Sequence, residues 1–485
     1  MQSETFSRGR YMGMKIQAVI FDMGGTIETF GYTRDLRLEA TAVIQQRLVH
    51  AGIDLHLSNE QLFDVISSGL ERYKHWSLQS MEELPSQRVW SEYILSNRDV
   101  DKEKIAEIAE ELMLLIETRF YRRAMRPEMP EVLQALKQMG LKIGLISNVN
   151  SRGQVPTNLK EYGIIDYFHP IVLSSEYGRR KPDPSIFHHA ARLINAPTSQ
   201  CVYVGDRVVR DIDGARRAGF GLAIQIRHNF EHGENDKGYT PDAVIDNMTE
   251  LLNILKEKCD CEQTPESDRK IRALIFDAGD ILYFRPQRGH YFAAYLKELG
   301  LEISPNHAQQ KKAIEYQAYR GQITHDEYRA AVVGIYGVTQ PEQVARGKQA
   351  LIDDDSNVAF FEGVPETLCA LKQQGFLLGI VTDTANSISA KLSWFERGGF
   401  GHVWDSIISS MDIGTRKPEP KIYQAALQQL GLTPDQAVFV GHRASELRGA
   451  RAAGMQTVAF NYDKDASADF FIEKFSDLLK VPVLD

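Results

Sequence analysis

Cysteine is scarce in this chain. Four residues in 485 exclude a disulfide-stapled secreted scaffold. Two of them, Cys259 and Cys261, form a lone Cys-x-Cys in a polar stretch, where an incidental pair is expected rather than a metal site. Long apolar runs are missing as well. None approaches the roughly 20 residues a membrane helix needs, and Met1–Lys15 lacks the apolar segment of a signal peptide. Positive charge is in deficit. A formal net charge of -9 argues against nucleic acid or an anionic membrane as main partner, while leaving room for a local basic pocket that takes an anionic metabolite. What remains is an ordinary soluble composition, 43% hydrophobic and 25% charged, for which the cytoplasm is the expected location. The length calls for two or more cores.

The organising stretch is Ala18-Val-Ile-Phe-Asp-Met-Gly-Gly-Thr-Ile-Glu28. A run of β-formers stops at Asp22, and Gly24-Gly25 let the backbone turn there. That places a carboxylate at the C-terminal end of a buried parallel strand, where open α/β folds bind ligands. The stretch recurs as Ala273-Leu-Ile-Phe-Asp-Ala-Gly-Asp-Ile-Leu282, with Asp277 in the place of Asp22. Three further segments repeat in order: Lys142–Asn148 with Leu377–Asp383, Arg180–Phe187 with Arg416–Tyr423, and Val202–Arg207 with Val438–Arg443. Gly-Ala-Arg-x-Ala-Gly follows both times, at Gly214 and Gly449. The pattern between them alternates strand and helix, which implies a parallel sheet covered on both faces.

In the first copy, strands are expected near 17–21, 142–147, 170–173, 201–204 and 221–225, and helices at 130–139 and 184–193. Each copy carries a long helical stretch after its first strand, about 33–125 and about 287–358. Loops of such length are improbable in a compact domain, so each reads as an inserted helical subdomain. Thr324-His-Asp-Glu327 has the form of a capping box. The expected layout is a tail at 1–14, a first domain at 15–258, a polar linker at 259–269 and a second domain at 270–485.

Each copy resembles a haloacid dehalogenase (HAD) superfamily domain with a helical cap. The family pattern runs Asp-x-Asp-Gly-Thr, then Ser/Thr, then Lys-Pro, then Gly-Asp with a further acid about four residues on. The resemblance implies two tandem Rossmann-like α/β domains, each with an inserted α-helical cap, and a fused pseudo-dimer within one chain. It implies a phosphatase on a small phosphorylated metabolite, with Asp22 as a nucleophile that forms an aspartyl-phosphate. Lys181 supplies a point charge, and Ser147 with Asn148, at a strand end entering a helix, binds phosphate oxygens. Mg²⁺ is held by Asp22, the Gly24 carbonyl and Asp206, and Asp211 orients its neighbours, Lys181 among them. Arg72, Lys74, His75 and Arg88 are candidate substrate contacts on the cap, with a solvated helix face the expected alternative.

Both copies depart from the pattern. The family's general acid/base, two residues after the nucleophile, is Gly24 here, and Gly279 in the second copy. The second copy keeps Asp277, Thr382 and Lys417 but has His442 at the metal position and Glu446 as the downstream acid. Neutral imidazole is a poor partner for Mg²⁺, so weak or absent binding is expected there. Catalysis therefore falls to the first copy, with the second regulatory or structural. Two alternatives stay open: a non-catalytic binding protein made of two degenerate copies, or C–P or C–halogen cleavage.

Overall fold

In a computed structural model of the protein, residues 15–227, 239–259 and 269–484 are described. The expected tail at 1–14, most of the linker and Cys261 lie outside them. The chain divides into two compact units, one mainly from residues 15–259 and one mainly from 269–484.

In the first unit β1 (Ala18–Phe21) has every side chain buried, as a central parallel strand covered on both faces requires. A short antiparallel ribbon of β2 (Glu28–Gly31) and β3 (Arg122–Met125) leads to and from the inserted subdomain. The sheet itself adds β4 (Lys142–Ser147), β5 (Ile171–Leu173), β6 (Cys201–Gly205), β7 (Leu222–Ile226) and β8 (Ala243–Ile245), in the order β5-β4-β1-β6-β7-β8. All neighbours are parallel, and Phe21 lies level with Leu145 and Val204. The chain builds outward from β1 first on one side and then on the other. The ends of β1, β4 and β6 thus meet at a switch point, where open α/β sheets bind ligands. Val19, Phe21, Leu145 and Val204 bury one face of the sheet with Val132, Leu136 and Leu251 from the covering helices.

The inserted subdomain is helical, with main helices Arg34–His50, Asn59–Ser80 and Lys102–Arg119. It has its own core around Ile44, Ile66, Tyr73, Trp90 and Leu112. Ser58 and Gln61 close a capping box at the start of the second of these helices.

The second unit repeats this plan. Its strands are β9 (Ala273–Phe276), β10 (Tyr283–Phe284), β11 (Ala359–Phe360), β12 (Leu377–Thr382), β13 (Ser406–Ser409), β14 (Ala437–Gly441), β15 (Gln456–Phe460) and β16 (Phe470–Ile472). The sheet order is β13-β12-β9-β14-β15-β16, with β10 and β11 as the ribbon. Four helices between Gly289 and Asn357 form the insert, packed around Phe292, Leu296, Val332 and Val333. Thr324 caps its helix as its motif predicts, receiving the Glu327 N–H at 3.2 Å.

Two local expectations need correction. Strand and helix ends move by a residue or so, as fraying ends do. The helix expected straight after β4 starts only at Gln154, so Asn148–Gly153 is a loop. The helix that closes the first unit, Thr249–Cys259, has only a 3₁₀ counterpart at Phe475–Lys480. Pro482 just beyond it cannot donate to a continuing α-helix.

Candidate active site

β1 delivers Asp22 into a buried cluster, its N–H held by the Val204 carbonyl at 2.9 Å. The turn that follows depends on Gly25, not Gly24. Gly25 sits at φ +88°, and a Cβ there would lie 2.4 Å from Asp206 Oδ2. Lys181 reaches Asp22 Oδ1 at 2.6 Å and Asp211 Oδ1 at 2.6 Å. It also donates to the Ile146 carbonyl at 3.1 Å and the Tyr203 hydroxyl at 2.8 Å. Its backbone is clamped by Asn148, whose side chain accepts the Lys181 N–H at 2.8 Å and donates to the Lys181 carbonyl at 2.9 Å. Asp206 stands at the end of β6, and Arg210 touches Asp206 Oδ1 at 3.1 Å and Asp22 Oδ2 at 3.4 Å. Burial, with Asp22 and Asp211 adding to it, pushes Asp206 up to about 8 against the pull of Arg210. For Asp211 burial acts upward too, but Lys181 and Arg210 outweigh it and hold that carboxyl at about 2. Asp22, Asp206 and Asp211 bring ligand atoms within 4.8 Å of one another.

The second unit gathers its counterparts differently. Lys417 pairs with Asp277 and, at 3.3 Å, with Glu446 Oε1. His442 Nδ1 is 3.8 Å from Asp277 Oδ2, and Arg443 Nε donates to His442 Nε2 at 3.1 Å. Burial lowers the His442 pKa, so the imidazole is neutral near pH 7. Burial pushes Glu446 up to about 7 despite Lys417. Thr382 ends β12 beside them, buried, and the group lines a cleft of about 350 Å³ that reaches the insert at Tyr319 and Asp354.

Comparison with known proteins supplies the family. The model for haloacid dehalogenase-like hydrolases matches residues 16–219, and a second model of the same description matches 290–460. The chain belongs to the haloacid dehalogenase-like hydrolases. A glyceraldehyde 3-phosphate phosphatase of Methanopyrus kandleri is 30% identical over 251 residues, 50% of this chain and 98% of that one. A phosphoglycolate phosphatase of Nitrosococcus oceani is 30% identical over 146 residues, 30% of this chain and 64% of the relative. The pyrophosphatase PpaX of Bacillus cereus is 34% identical over 137 residues, 26% and 61% of the two chains.

For a member of this hydrolase family, the donor set of the first unit suits a hard divalent cation. Three carboxylates and no nitrogen or sulfur ligand is the chemistry Mg²⁺ prefers, and the cradle at Gly25 would be filled by any Cβ. The second unit offers an imidazole in the same place. Among the described residues no helix is long and apolar enough to cross a membrane.

The cap residues singled out from sequence lie on solvated surface of the insert. Arg72, Lys74, His75 and Arg88 are exposed. Arg72 donates to the Tyr93 carbonyl at 2.5 Å, His75 meets Gln79 at 3.1 Å, and Arg88 pairs with Glu92 at 2.6 Å. The insert meets the segments after β4 and β5 through two carboxylates, buried Glu83 and half-buried Glu117. Glu83 accepts from Ser174 Oγ at 2.7 Å and Asn150 Nδ2 at 3.1 Å and pairs with Arg180 at 3.0 Å. Glu117 accepts the N–H groups of Asn150 and Ser151, each at 2.8 Å. Ser174 Oγ accepts the N–H of Val149 at 2.9 Å. The N–H groups of Val149, Asn150 and Ser151 are therefore engaged within the protein, and the Asn148 side chain clamps Lys181. Ser147 itself stays buried at the end of β4.

Glu117 gives the first unit a pH-dependent joint. Burial raises it to about 7, so its protonated form is favoured in the folded unit. The stability it contributes is then full below the ordinary carboxylate range and is lost as pH rises through about 7. Between pH 5 and 8 the unit is expected to lose about 2 kcal/mol through this group. Glu117→Gln should flatten that slope in thermal melts; parallel slopes in the two proteins would refute it.

Two residues around Lys181 escape the motif reading. Tyr203 is hidden because it stands among Val202 and Val204 in an apolar strand, yet its hydroxyl accepts from Lys181 and donates to Asp211 Oδ1 at 3.2 Å. Arg210 was signalled only by the one-residue difference between Asp206…Asp211 and His442…Glu446. The second unit carries Phe439 where the first has Tyr203, so the hydroxyl is dispensable to the fold. Tyr203→Phe is expected to cost about 1 kcal/mol in urea unfolding and less than about tenfold in turnover. A complete loss of activity would show that the hydroxyl does more than hold Lys181.

Proposed function

We propose that the first unit is a Mg²⁺-dependent phosphatase acting on a small phosphorylated metabolite through an aspartyl-phosphate at Asp22. The observation that carries this reading is the convergence of Asp22 and Asp206, at neighbouring strand ends, with Lys181 from the turn before the helix Pro184–Ile194, Lys181 lying 2.6 Å from Asp22 Oδ1. A carboxylate oxygen of Asp22 attacks phosphorus, the bond from phosphorus to the leaving oxygen breaks, and that oxygen takes a proton. Water then attacks the acyl phosphate, releasing phosphate and restoring the carboxylate. Lys181 neutralises charge on the phosphoryl oxygens, and Ser147 donates to one of them. Tyr203, Asp211 and the Asn148 clamp hold Lys181 in place. Asp22, the Gly24 carbonyl and Asp206 would hold Mg²⁺, which when bound offsets the charge gathered around phosphorus. Named relatives that hydrolyse glyceraldehyde 3-phosphate, phosphoglycolate and pyrophosphate support the substrate class. The second unit is the regulatory or structural partner, since His442 stands in place of its metal-binding carboxylate.

Gly24 shapes the choice of substrate. No carboxylate is present there to protonate the leaving oxygen, so acyl phosphates and pyrophosphate should outrun alkyl phosphates. The test is phosphate release by the full chain from acetyl phosphate, pyrophosphate, glyceraldehyde 3-phosphate and 2-phosphoglycolate, with and without Mg²⁺. Mg²⁺-dependent release from at least one is expected. Gly24 also favours a second reading, C–halogen or C–P cleavage, and release of halide or a phosphonate product without any ester hydrolysis would establish it.

A further inference from the structure

The segment after β6 is one residue longer than its counterpart. Gly205 and Gly214 lie nine residues apart and Gly441 and Gly449 eight, so Asp211 falls five residues after Asp206 where Glu446 falls four after His442. The extra residue is absorbed as a π-helical turn at Val208–Ile212, whereas the second unit runs a plain α-helix from Ala444 to Ala452. Such single-turn insertions re-aim one side chain while leaving both flanks in register. Here the flank is kept, because Asp211 still reaches Lys181 at 2.6 Å. The re-aimed residue is Arg210. Its Nη2 lies 3.1 Å from Asp206 Oδ1, 3.4 Å from Asp22 Oδ2 and 3.5 Å from Asp211 Oδ2. These are the same three carboxylates that can converge on an ion.

We propose that Arg210 is a built-in counter-cation that occupies the divalent-ion position of the first unit and must swing out for the ion to enter. This rests on the reading that Asp22 and Asp206 bind that ion. The charge count supports it. Lys181, Arg210 and Arg207, whose Nε is 3.3 Å from Asp206 Oδ2, already face the three carboxylates, so the site carries its own counter-charge without any ion. Adding a divalent cation while the guanidinium stays would set like charges within contact distance in a buried site. An exit exists: the Arg210 side chain is 32% exposed, against 3% for Asp22 and Asp206. Its Nε is buried without a partner, so the inward position satisfies one end of the guanidinium and not the other. The consequence is an ion site that stays ordered when empty and binds its ion more weakly than three carboxylates otherwise would.

The test uses the full chain with Mn²⁺ as a paramagnetic probe, free ion counted by its resonance signal, and Mg²⁺ calorimetry in parallel. Asp206→Asn defines which bound ion belongs to the first unit. For that ion, Arg210→Gln is expected to tighten Kd at least about tenfold, the removal of a charged competitor, while Arg210→Lys stays closer to wild type. Deletion of Val209, itself 37% exposed, restores the four-residue spacing and should tighten binding too, which keeps the test alive if Arg210→Gln folds poorly. An Asp206-dependent ion whose Kd is unchanged or weaker in Arg210→Gln, or in the deletion variant where that is the one that folds, overturns the counter-cation and leaves the phosphatase reading standing. Ion binding indifferent to Asp206→Asn overturns both.

Discussion

Asp22→Asn will abolish phosphate release by the full chain, at least about 10³-fold below wild type, as removal of a covalent nucleophile does elsewhere. Asp277→Asn will leave turnover within about threefold. The asymmetry follows from what surrounds each carboxylate. Asp22 shares its cluster with Asp206, a carboxylate at the end of β6 whose oxygen could hold an ion. Asp277 faces a neutral imidazole 3.8 Å away and is tied to Lys417. An amide in place of Asp22 is isosteric but cannot attack phosphorus, so KM should move much less than kcat. Both variants remove a negative charge opposite a buried lysine, and a fall in thermal midpoint of similar size is expected in each unit. Matched destabilisation with opposite kinetic outcomes would therefore separate chemistry from folding. Loss of most activity in Asp277→Asn would mean that the second unit carries the reaction.

The fold class was legible because it rests on local signals. Strands such as Ala18–Phe21 and Ala273–Phe276 are unbroken apolar runs that end at an Asp and a glycine turn, and the same order of segments occurs twice. Asp22 and Asp206 follow adjacent strand ends of a parallel sheet, and Lys181 and Asp211 come from the segments beyond strand ends on the same side, so their convergence too could be anticipated. The insert's contribution could not. Glu83 and Glu117 meet Asn150, and Glu83 also meets Ser174, across 33 to 91 residues of sequence, and in the sequence each reads as one more solvated acid. The exposed Arg72 and Arg88 looked more suggestive for that very reason, since charge on a helix carries no mark of its partner. The loop after Ser147 was hidden differently. Its Asn, Ser and Gly are poor helix formers, but the contacts from Glu117 and Ser174 that fix it are tertiary and leave no local mark.

Gly24→Asp will raise turnover of an alkyl phosphate at least about tenfold, the low side of what acid–base assistance contributes. Backbone strain does not stand in the way. The left-handed residue of this turn is Gly25, at φ +88°. A Cβ on Gly24 would meet Phe30 Cε1 at 3.5 Å and Arg123 Nη1 at 3.9 Å, ordinary contact distances. The neighbourhood also sets the sign of the pH dependence. Arg123, already paired with Glu28, favours the charged form of any carboxylate placed beside it and so lowers its pKa. A lowered pKa leaves less of the acid form to protonate a leaving alkoxide, so the gain should be larger at pH 6 than at pH 8. Acetyl phosphate, whose leaving group needs no proton, should gain little in the first step. Comparing the two substrates across that pH range thus distinguishes restored acid catalysis from a general improvement in binding. A folded Gly24→Asp variant that still binds Mg²⁺ yet gains nothing on any alkyl phosphate would show that another residue already supplies the proton, or that ester hydrolysis is not the work of this site.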